Sequence, residues 1–82
     1  MAIWRIEKVK GELGYRSNTS VYEAIRENLF TKPVKICRRS VGWPDSEVTA
    51  ICGARIAGCS DEQIRSLVQK LHNDRGLLSM KF

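Results

Sequence analysis

The sequence predicts a mostly α-helical fold with one small β-hairpin, and two observations support this fold class. Apolar residues recur at helical spacing in four segments of the 82-residue chain. Between the second and third segments, Lys32-Pro33 interrupts the helical pattern, because proline lacks an amide donor and biases the preceding residue toward extended conformations. A chain of this length is expected to form a single domain with one modest core.

The first two predicted helices are short and closely spaced. Residues 6–13 carry apolar side chains on one helical face, and Gly14 follows as a C-terminal stop. Residues 17–28 predict a second helix, with N-cap candidates at its start and Asn28, which tolerates a left-handed conformation, at its end. Two short helices joined by a tight turn are typical of a helix-turn-helix motif.

A basic hairpin is predicted at residues 30–43. A tight reversal at Arg38-Arg39 would place the apolar residues opposite one another, so that they hold the hairpin to the core. The predicted pairs are Ile36 with Val41 and Val34 with Trp43. Lys35 and the two tip arginines would then point outward. Arginines at such a tip can reach phosphates or a minor groove, as in the wing of a winged helix-turn-helix protein.

Two further helices are predicted in the second half of the chain. Proline and acidic residues at positions 44–47 suit a helix first turn, and Gly58 is expected to end this third helix. Residues 60–63, Ser-Asp-Glu-Gln, form a capping box at the start of a fourth amphipathic helix. The tail from Gly76 onward carries four large apolar residues, which either pack on the core or mediate association.

The positive charge of the chain is concentrated in its first half. Residues 1–40 hold nine Lys/Arg and four Asp/Glu, a net charge of +5, whereas residues 41–82 hold five of each. A localised positive field on a small domain indicates a polyanionic partner, of which nucleic acid is the commonest. The alternative is that the charge serves only solubility.

Other classes of function are disfavoured. The three cysteines include no C-x-x-C pair and the single histidine, His72, is distant from them, so neither a disulfide framework nor a metal site is expected. No nucleophile motif or phosphate-binding glycine loop is present, so we expect neither an enzyme nor a cofactor. No apolar run has the length of a signal peptide or a membrane span, which predicts a cytoplasmic protein, located at the bacterial nucleoid if it binds DNA.

Three segments of the chain resemble the AlpA family of phage and prophage regulators. They are Gly14-Tyr15 followed by residues 17–25, then residues 28–36 with the run Phe-x-Lys-Pro-Val-Lys, and residues 39–48 with the run Val-Gly-Trp-x-x-Ser-Glu-Val. The resemblance spans about residues 4–57. Members of this family are small winged helix-turn-helix proteins related to excisionases and to the DNA-binding part of MerR-type regulators. The resemblance therefore implies double-stranded DNA as the partner, with residues 17–28 as a recognition helix in the major groove and the hairpin as a basic wing.

The resemblance also implies which residues contact DNA. Asn18 stands where such sequences often carry arginine, so Arg16 in the turn is expected to supply that cation. Cys37 replaces the usual wing glycine, and Ile51 stands where tryptophan is frequent. Phe30, Val41 and Trp43 are expected in the core. The DNA-contact candidates are Arg16, Ser17, Asn18, Thr19, Ser20, Tyr22, Glu23 and Arg26 on the turn and helix, and Lys32, Lys35, Arg38 and Arg39 on the wing.

Several roles remain open at this point. Residues 1–58 are expected to form the winged helix-turn-helix unit, with residues 59–82 as a C-terminal helix and tail belonging to the same domain. The unit could act as a transcriptional activator or repressor, or as an excisionase-like factor that bends DNA and directs an integrase. One recognition helix supplies few contacts, which favours further copies of the protein on adjacent sites. The rival hypothesis is a protein-interaction adaptor that uses the C-terminal helix and tail.

Overall fold

The computed structural model describes residues 2–79 of the chain. These residues form four helices and a small antiparallel sheet. The predicted fold class, a mostly α-helical winged helix-turn-helix, is confirmed. The elements in chain order are β1 (Ile3–Trp4), α1 (Ile6–Leu13), α2 (Asn18–Arg26), β2 (Val34–Cys37), β3 (Ser40–Pro44), α3 (Asp45–Ile56) and α4 (Asp61–Ser79).

The ends of the first two helices follow local sequence signals, as predicted. Helix α1 stops at Gly14, which has φ 76°, a left-handed conformation that costs glycine no Cβ clash. Helix α2 begins after Ser17, whose Oγ accepts a hydrogen bond from the Ser20 N–H at 3.2 Å. The chain leaves α2 through Asn28, which has φ 62°. Helix α2 is therefore slightly shorter than the predicted residues 17–28.

The capping box at the start of α4 is also confirmed. The Ser60 N–H donates to Gln63 Oε1 at 2.9 Å, and the Gln63 N–H donates to Ser60 Oγ at 3.3 Å. Helix α4 continues to Ser79, so the tail predicted to start at Gly76 is helical over its first four residues. The rest of that predicted tail, residues 80–82, lies outside the described residues.

The predicted register of the hairpin is wrong away from its tip. The reversal lies at Arg38-Arg39 as expected, with Cys37 opposite Ser40. A bulge between Lys35 and Cys37 then shifts the pairing by one residue. The observed pairs are Lys35 with Val41 and Val34 with Gly42, instead of Ile36 with Val41 and Val34 with Trp43.

This shift changes which hairpin residues reach the core. Trp43 is fully buried as predicted, but Ile36 is 44% exposed and Val41 is 36% exposed. Both were expected to hold the hairpin to the core, and for both the expectation is wrong. Neither residue is among the apolar side chains that form the core or pack against it.

Strand β1 was not predicted, and it makes β3 the central strand of the sheet. Ile3 pairs with Pro44 and Trp4 pairs with Trp43, giving the strand order β1-β3-β2. The Asp45 N–H donates to the Ala2 carbonyl at 2.8 Å, which extends this pairing to the start of α3. The N-terminal strand thereby fixes the inner end of the hairpin.

Trp43 lies at the centre of a core to which all four helices contribute. Its ring stacks on Phe30 with 5.8 Å between centroids, and Tyr22 of α2 approaches at 6.4 Å. Its indole N–H donates to the Thr31 carbonyl at 2.9 Å. The predicted core positions of Phe30 and Trp43 are confirmed. The buried apolar residues are Val9, Val21, Ala24, Phe30, Trp43, Val48, Ile51, Ile64 and Val68.

Candidate nucleic-acid interface

Helix α2 presents a polar face to solvent because its apolar residues turn toward the core. Val21 and Ala24 are buried, and at 100° per residue their neighbours on the opposite side point outward. The exposed residues of this face are Thr19, Tyr22, Glu23 and Arg26. Tyr22 is 43% exposed, although its ring centroid lies 6.4 Å from that of Trp43.

The turn before α2 combines free side chains with side chains that cap the helix. Arg16 and Asn18 are exposed. Ser17 is exposed as well, but its Oγ caps the helix and lies 3.1 Å from Ser20 Oγ, and Ser20 is half-buried. Of the predicted contact residues, Ser17 and Ser20 therefore have the least hydrogen-bonding capacity left for a partner.

The wing carries its cations on the outside. Lys32, Lys35, Arg38 and Arg39 are all exposed, and the two arginines occupy the reversal itself. Cys37, beside them, is exposed too. A hydrogen bond with the Ser40 side chain lowers the pKa of the Cys37 thiol, and the Arg39 backbone and the charge of Arg5 act in the same direction.

The cations of α2 and the wing differ from those of the C-terminal half in their pairing. In α3 and α4, Arg55, Arg65 and Arg75 each form an ion pair with an Asp or Glu side chain. Within residues 2–79, none of the cations predicted to contact DNA forms such a pair. These unpaired cations are Arg16, Arg26, Lys32, Lys35, Arg38 and Arg39. Their positive charge is thus available to an external anion.

The chain between α2 and β2, residues 27–33, is held by side chains of α4. Arg65 Nε donates to the Glu27 carbonyl at 3.0 Å. The Lys32 N–H donates to His72 Nε2 at 3.1 Å, and Arg75 Nη2 donates to the Lys32 carbonyl at 2.6 Å. The α2–wing connection, as we call residues 27–33, is therefore bound at both of its ends.

Glu47 of α3 fixes the guanidinium of Arg75. Arg75 Nε donates to Glu47 Oε2 at 2.7 Å and Nη2 donates to Oε1 at 2.5 Å, while the Glu47 side chain is only 6% exposed. Burial lowers the pKa of His72, and the Arg75 and Lys32 charges act in the same direction, whereas Glu47 opposes them. A lowered pKa suits the neutral imidazole that must accept the Lys32 N–H.

Two other kinds of feature, a metal-ligand cluster and a membrane-spanning helix, are absent from residues 2–79. Residues 2–79 contain no cluster of three or more His, Cys, Asp or Glu side chains that could hold a metal ion. Within the same span, no helix is long and apolar enough to cross a membrane. A shallow groove lies where α1 meets α3, and its lining residues are Glu12, Leu13, Tyr15, Cys52, Arg55 and Ile56.

Sequence reasoning missed the contacts of Arg65, His72 and Arg75. Their spacing places them on one side of α4, which is a weak signal that this side faces something polar. Their partners are backbone groups about forty residues away in the chain. Every residue has the same backbone groups, so the sequence does not indicate which of them these side chains bind.

Comparison with known protein families gives a match to the N-terminal part of the chain. Residues 3–51, which are more than half of its length, match the family described as "Prophage CP4-57 regulatory protein (AlpA)". This match covers β1 through the first half of α3, and it includes every predicted DNA-contact residue. It ends before α4. No curated protein and no solved structure matches the chain.

Proposed function

Because the chain belongs to the AlpA family of prophage regulatory proteins, whose members bind DNA, we propose that it is a sequence-specific transcriptional regulator. In this proposal α2 enters the major groove, and the wing contacts the flanking backbone or minor groove. We propose no catalytic activity, since the family is a regulatory one.

One observation carries this proposal, namely the unpaired cations on α2, on the turn before it and on the wing. Phosphate contacts need lysine and arginine side chains that are not already neutralised by a protein carboxylate. The cations of this surface meet that requirement, whereas Arg55, Arg65 and Arg75 of the C-terminal half do not. The cations of α2, of the turn before it and of the wing are therefore the ones we propose to contact phosphates.

Helix α2 has suitable length and chemistry for base recognition. A helix with its side chains is about 10–12 Å in diameter, which fits the roughly 12 Å width of the major groove, and the nine residues of α2 extend about 13 Å at 1.5 Å per residue. Asn18 can bind adenine through two hydrogen bonds, Arg26 can do the same to guanine, and Glu23 can accept from cytosine. We assign base recognition to these three residues. Tyr22 and Thr19 are assigned apolar contacts or contacts with the DNA backbone.

The wing suits the sequence-independent part of the interface. Arg38 and Arg39 are exposed at a two-residue reversal, so their side chains can follow the phosphates or enter a minor groove. Lys35 lies on β2 of the same hairpin and adds a third cation. Such contacts set the register of a protein on the duplex without reading the sequence.

Selection of bound sites from random double-stranded DNA tests the proposal. The wild-type protein is expected to enrich one defined motif, and Arg26→Ala is expected to relax the preference at one or two positions of that motif. Arg55→Ala serves as the matched control, because Arg55 lies on α3 and pairs with Asp61. Recovery of unenriched DNA by the wild-type protein would contradict the proposal.

A further inference from the structure

Helix α4 lies outside the residues that match the family, yet it binds the backbone at both ends of the α2–wing connection. We propose that α4 is a clamp that sets the position of the wing relative to the recognition helix, with Arg65, His72 and Arg75 as positioning residues. This inference rests on the proposed DNA-binding function and assigns a role to the part of the chain that the family match leaves unexplained.

The clamp acts where the chain has no regular structure of its own. Just after α2, the backbone is still supported by the helix, since the Leu29 N–H donates to the Ala24 carbonyl at 2.8 Å. At Thr31, the carbonyl accepts from the Trp43 indole. Lys32 has neither kind of support: its N–H is bound by His72 and its carbonyl by Arg75. Both backbone polar groups at the start of the wing are therefore held by α4.

Arg65 binds the other end of the connection. Its Nε donates to the carbonyl of Glu27, the residue that follows α2. Carbonyls in the last turn of a helix lack intrahelical partners, so a cationic donor there is favourable both as a hydrogen bond and for the helix dipole. The same helix thus fixes the end of α2 and the start of the wing, about ten residues apart along α4.

The clamp is held rigid by the core and by α3. Ile64 and Val68 of α4 are fully buried, which fixes the rotation of the helix about its axis. Residues 65, 72 and 75 then lie on the side that faces the connection. The two hydrogen bonds from Arg75 to the buried Glu47 carboxylate hold the guanidinium in one orientation. The Arg75 guanidinium is therefore already oriented toward the Lys32 carbonyl without DNA.

A clamp can be distinguished from a helix that merely stabilises the fold. Arg38 and Arg39 lie at the exposed tip of the wing and form no hydrogen bond or ion pair with α4 among the contacts described for residues 2–79. If α4 only stabilised the fold, variants of α4 and of the tip would change DNA affinity independently, as separate sites do. If α4 positions the wing, releasing the Lys32 backbone from α4 should also reduce the contribution of Arg38 and Arg39 to DNA affinity.

A double-mutant cycle in DNA affinity tests this, using a duplex obtained by selection from random DNA. The cycle combines His72→Leu, which removes the acceptor for the Lys32 N–H, with Arg38→Ala/Arg39→Ala. We expect the tip substitutions to weaken binding by about tenfold in the wild-type background and by about twofold in the His72→Leu background, a coupling typical of residues acting together. Equal losses in both backgrounds would overturn the clamp.

Two variants of α4 complete the design. His72→Gln can place a carboxamide oxygen near the position of Nε2, so it should restore most of the tip contribution that His72→Leu loses. Lys70→Met removes one charge from an exposed position of the same helix and is expected to leave the cycle unchanged. If His72→Leu does not fold, Arg65→Met replaces it in the cycle, because the Arg65 side chain is 40% exposed and the loss of its exposed ion pair costs little stability.

Amide hydrogen exchange separates the clamp from the proposed function. The Lys32 amide should exchange slowly in the wild-type protein and in His72→Gln, and at least tenfold faster in His72→Leu, with no DNA present. Identical exchange of this amide in the wild-type protein and His72→Leu would contradict the clamp alone. Absence of DNA binding by the wild-type protein would instead contradict the proposed function, and with it the positioning role.

Discussion

Removing Arg75 should be one of the most destabilising single changes outside the apolar core. The Glu47 side chain is 6% exposed and the Arg75 side chain 24% exposed, so the carboxylate depends on this one guanidinium for its neutralisation. Arg75→Met keeps an unbranched side chain that can pack along α4. It leaves the Glu47 carboxylate buried without a counterion and the Lys32 carbonyl without its donor.

The expected size of the effect follows from these exposures. Breaking a buried ion pair by removing one partner costs about 3–5 kcal/mol, and the partial exposure of Arg75 puts this pair near the lower end, at about 3 kcal/mol. For a domain of this size, 1 kcal/mol corresponds to about 4–8 °C in Tm, so Arg75→Met should lower Tm by about 12–24 °C. Glu47→Met/Arg75→Met removes both charges and should be destabilised by only about 1 kcal/mol, mainly through the lost bond to Lys32.

Urea and thermal unfolding followed by circular dichroism measure these differences. Arg55→Met is the matched control: it breaks the Arg55–Asp61 pair, whose side chains are 38% and 60% exposed, and should change the free energy of unfolding by less than about 0.5 kcal/mol. A loss below about 1 kcal/mol for Arg75→Met would refute the reasoning, and so would a double variant less stable than Arg75→Met itself.

Three further changes test other parts of the structure. Thr31→Val should stabilise the protein by about 1 kcal/mol in urea unfolding, because Thr31 Oγ1 is buried with no hydrogen-bond partner among the described residues. A variant less stable than the wild-type protein would show that the hydroxyl has a hydrogen-bond partner. Gly42→Ala should destabilise it by about 1–3 kcal/mol, since a Cβ there would lie 2.9 Å from the Trp4 carbonyl oxygen, whereas Gly11→Ala, with open space around it, should be neutral or stabilising. Unchanged stability of Gly42→Ala would contradict the sheet packing. The lowered pKa of His72 means that the unfolded chain binds a proton at this residue more readily than the folded chain. The contribution of His72 to the free energy of unfolding should therefore be constant above about pH 6.5, and it should fall as the pH drops from there to the pKa of the folded state. Arg75 and Lys32 oppose this protonation and Glu47 favours it, and His72→Gln should remove that part of the pH dependence; an unaltered profile in His72→Gln would assign it to other groups.

Features set by neighbouring residues could be predicted from the sequence. Gly14 ends α1 and residues 60–63 cap α4, because each signal lies within a few residues of the structure that it determines. The burial of Phe30 and Trp43 was expected from the family resemblance, and it is confirmed. The reversal at Arg38-Arg39 was placed correctly as well.

Features set by distant contacts could not be predicted. The bulge between Lys35 and Cys37 moves the pairing by one residue, which the alternation of apolar side chains does not reveal. Strand β1 has two residues, too few to show any period. The side chains of α4 that bind Lys32 meet backbone groups forty or more positions away. In each case the determining partner is absent from the local pattern.

For the proposed interface, all predicted contact residues except the half-buried Ser20 are exposed, and their contact with DNA stays a prediction. Sequence periodicity placed Tyr22, Glu23 and Arg26 on the flank and the opposite side of α2 from Val21, and all three are exposed in the structure. Periodicity does not show that the Ser17 hydroxyl caps the helix and lies within hydrogen-bond distance of the Ser20 hydroxyl, because that depends on the backbone at the turn.

The salt dependence of DNA binding bears most directly on the proposal that the wing contacts phosphates. For a protein that neutralises phosphates, the logarithm of the binding constant falls linearly with the logarithm of the salt concentration, by about 0.9 for each phosphate. Arg38→Ala/Arg39→Ala should weaken binding to many sequences alike and make this slope shallower by about two, while Arg55→Ala should leave it unchanged. A wing double variant that binds as tightly as the wild-type protein, with the same slope, would contradict the assignment of the wing to the DNA backbone.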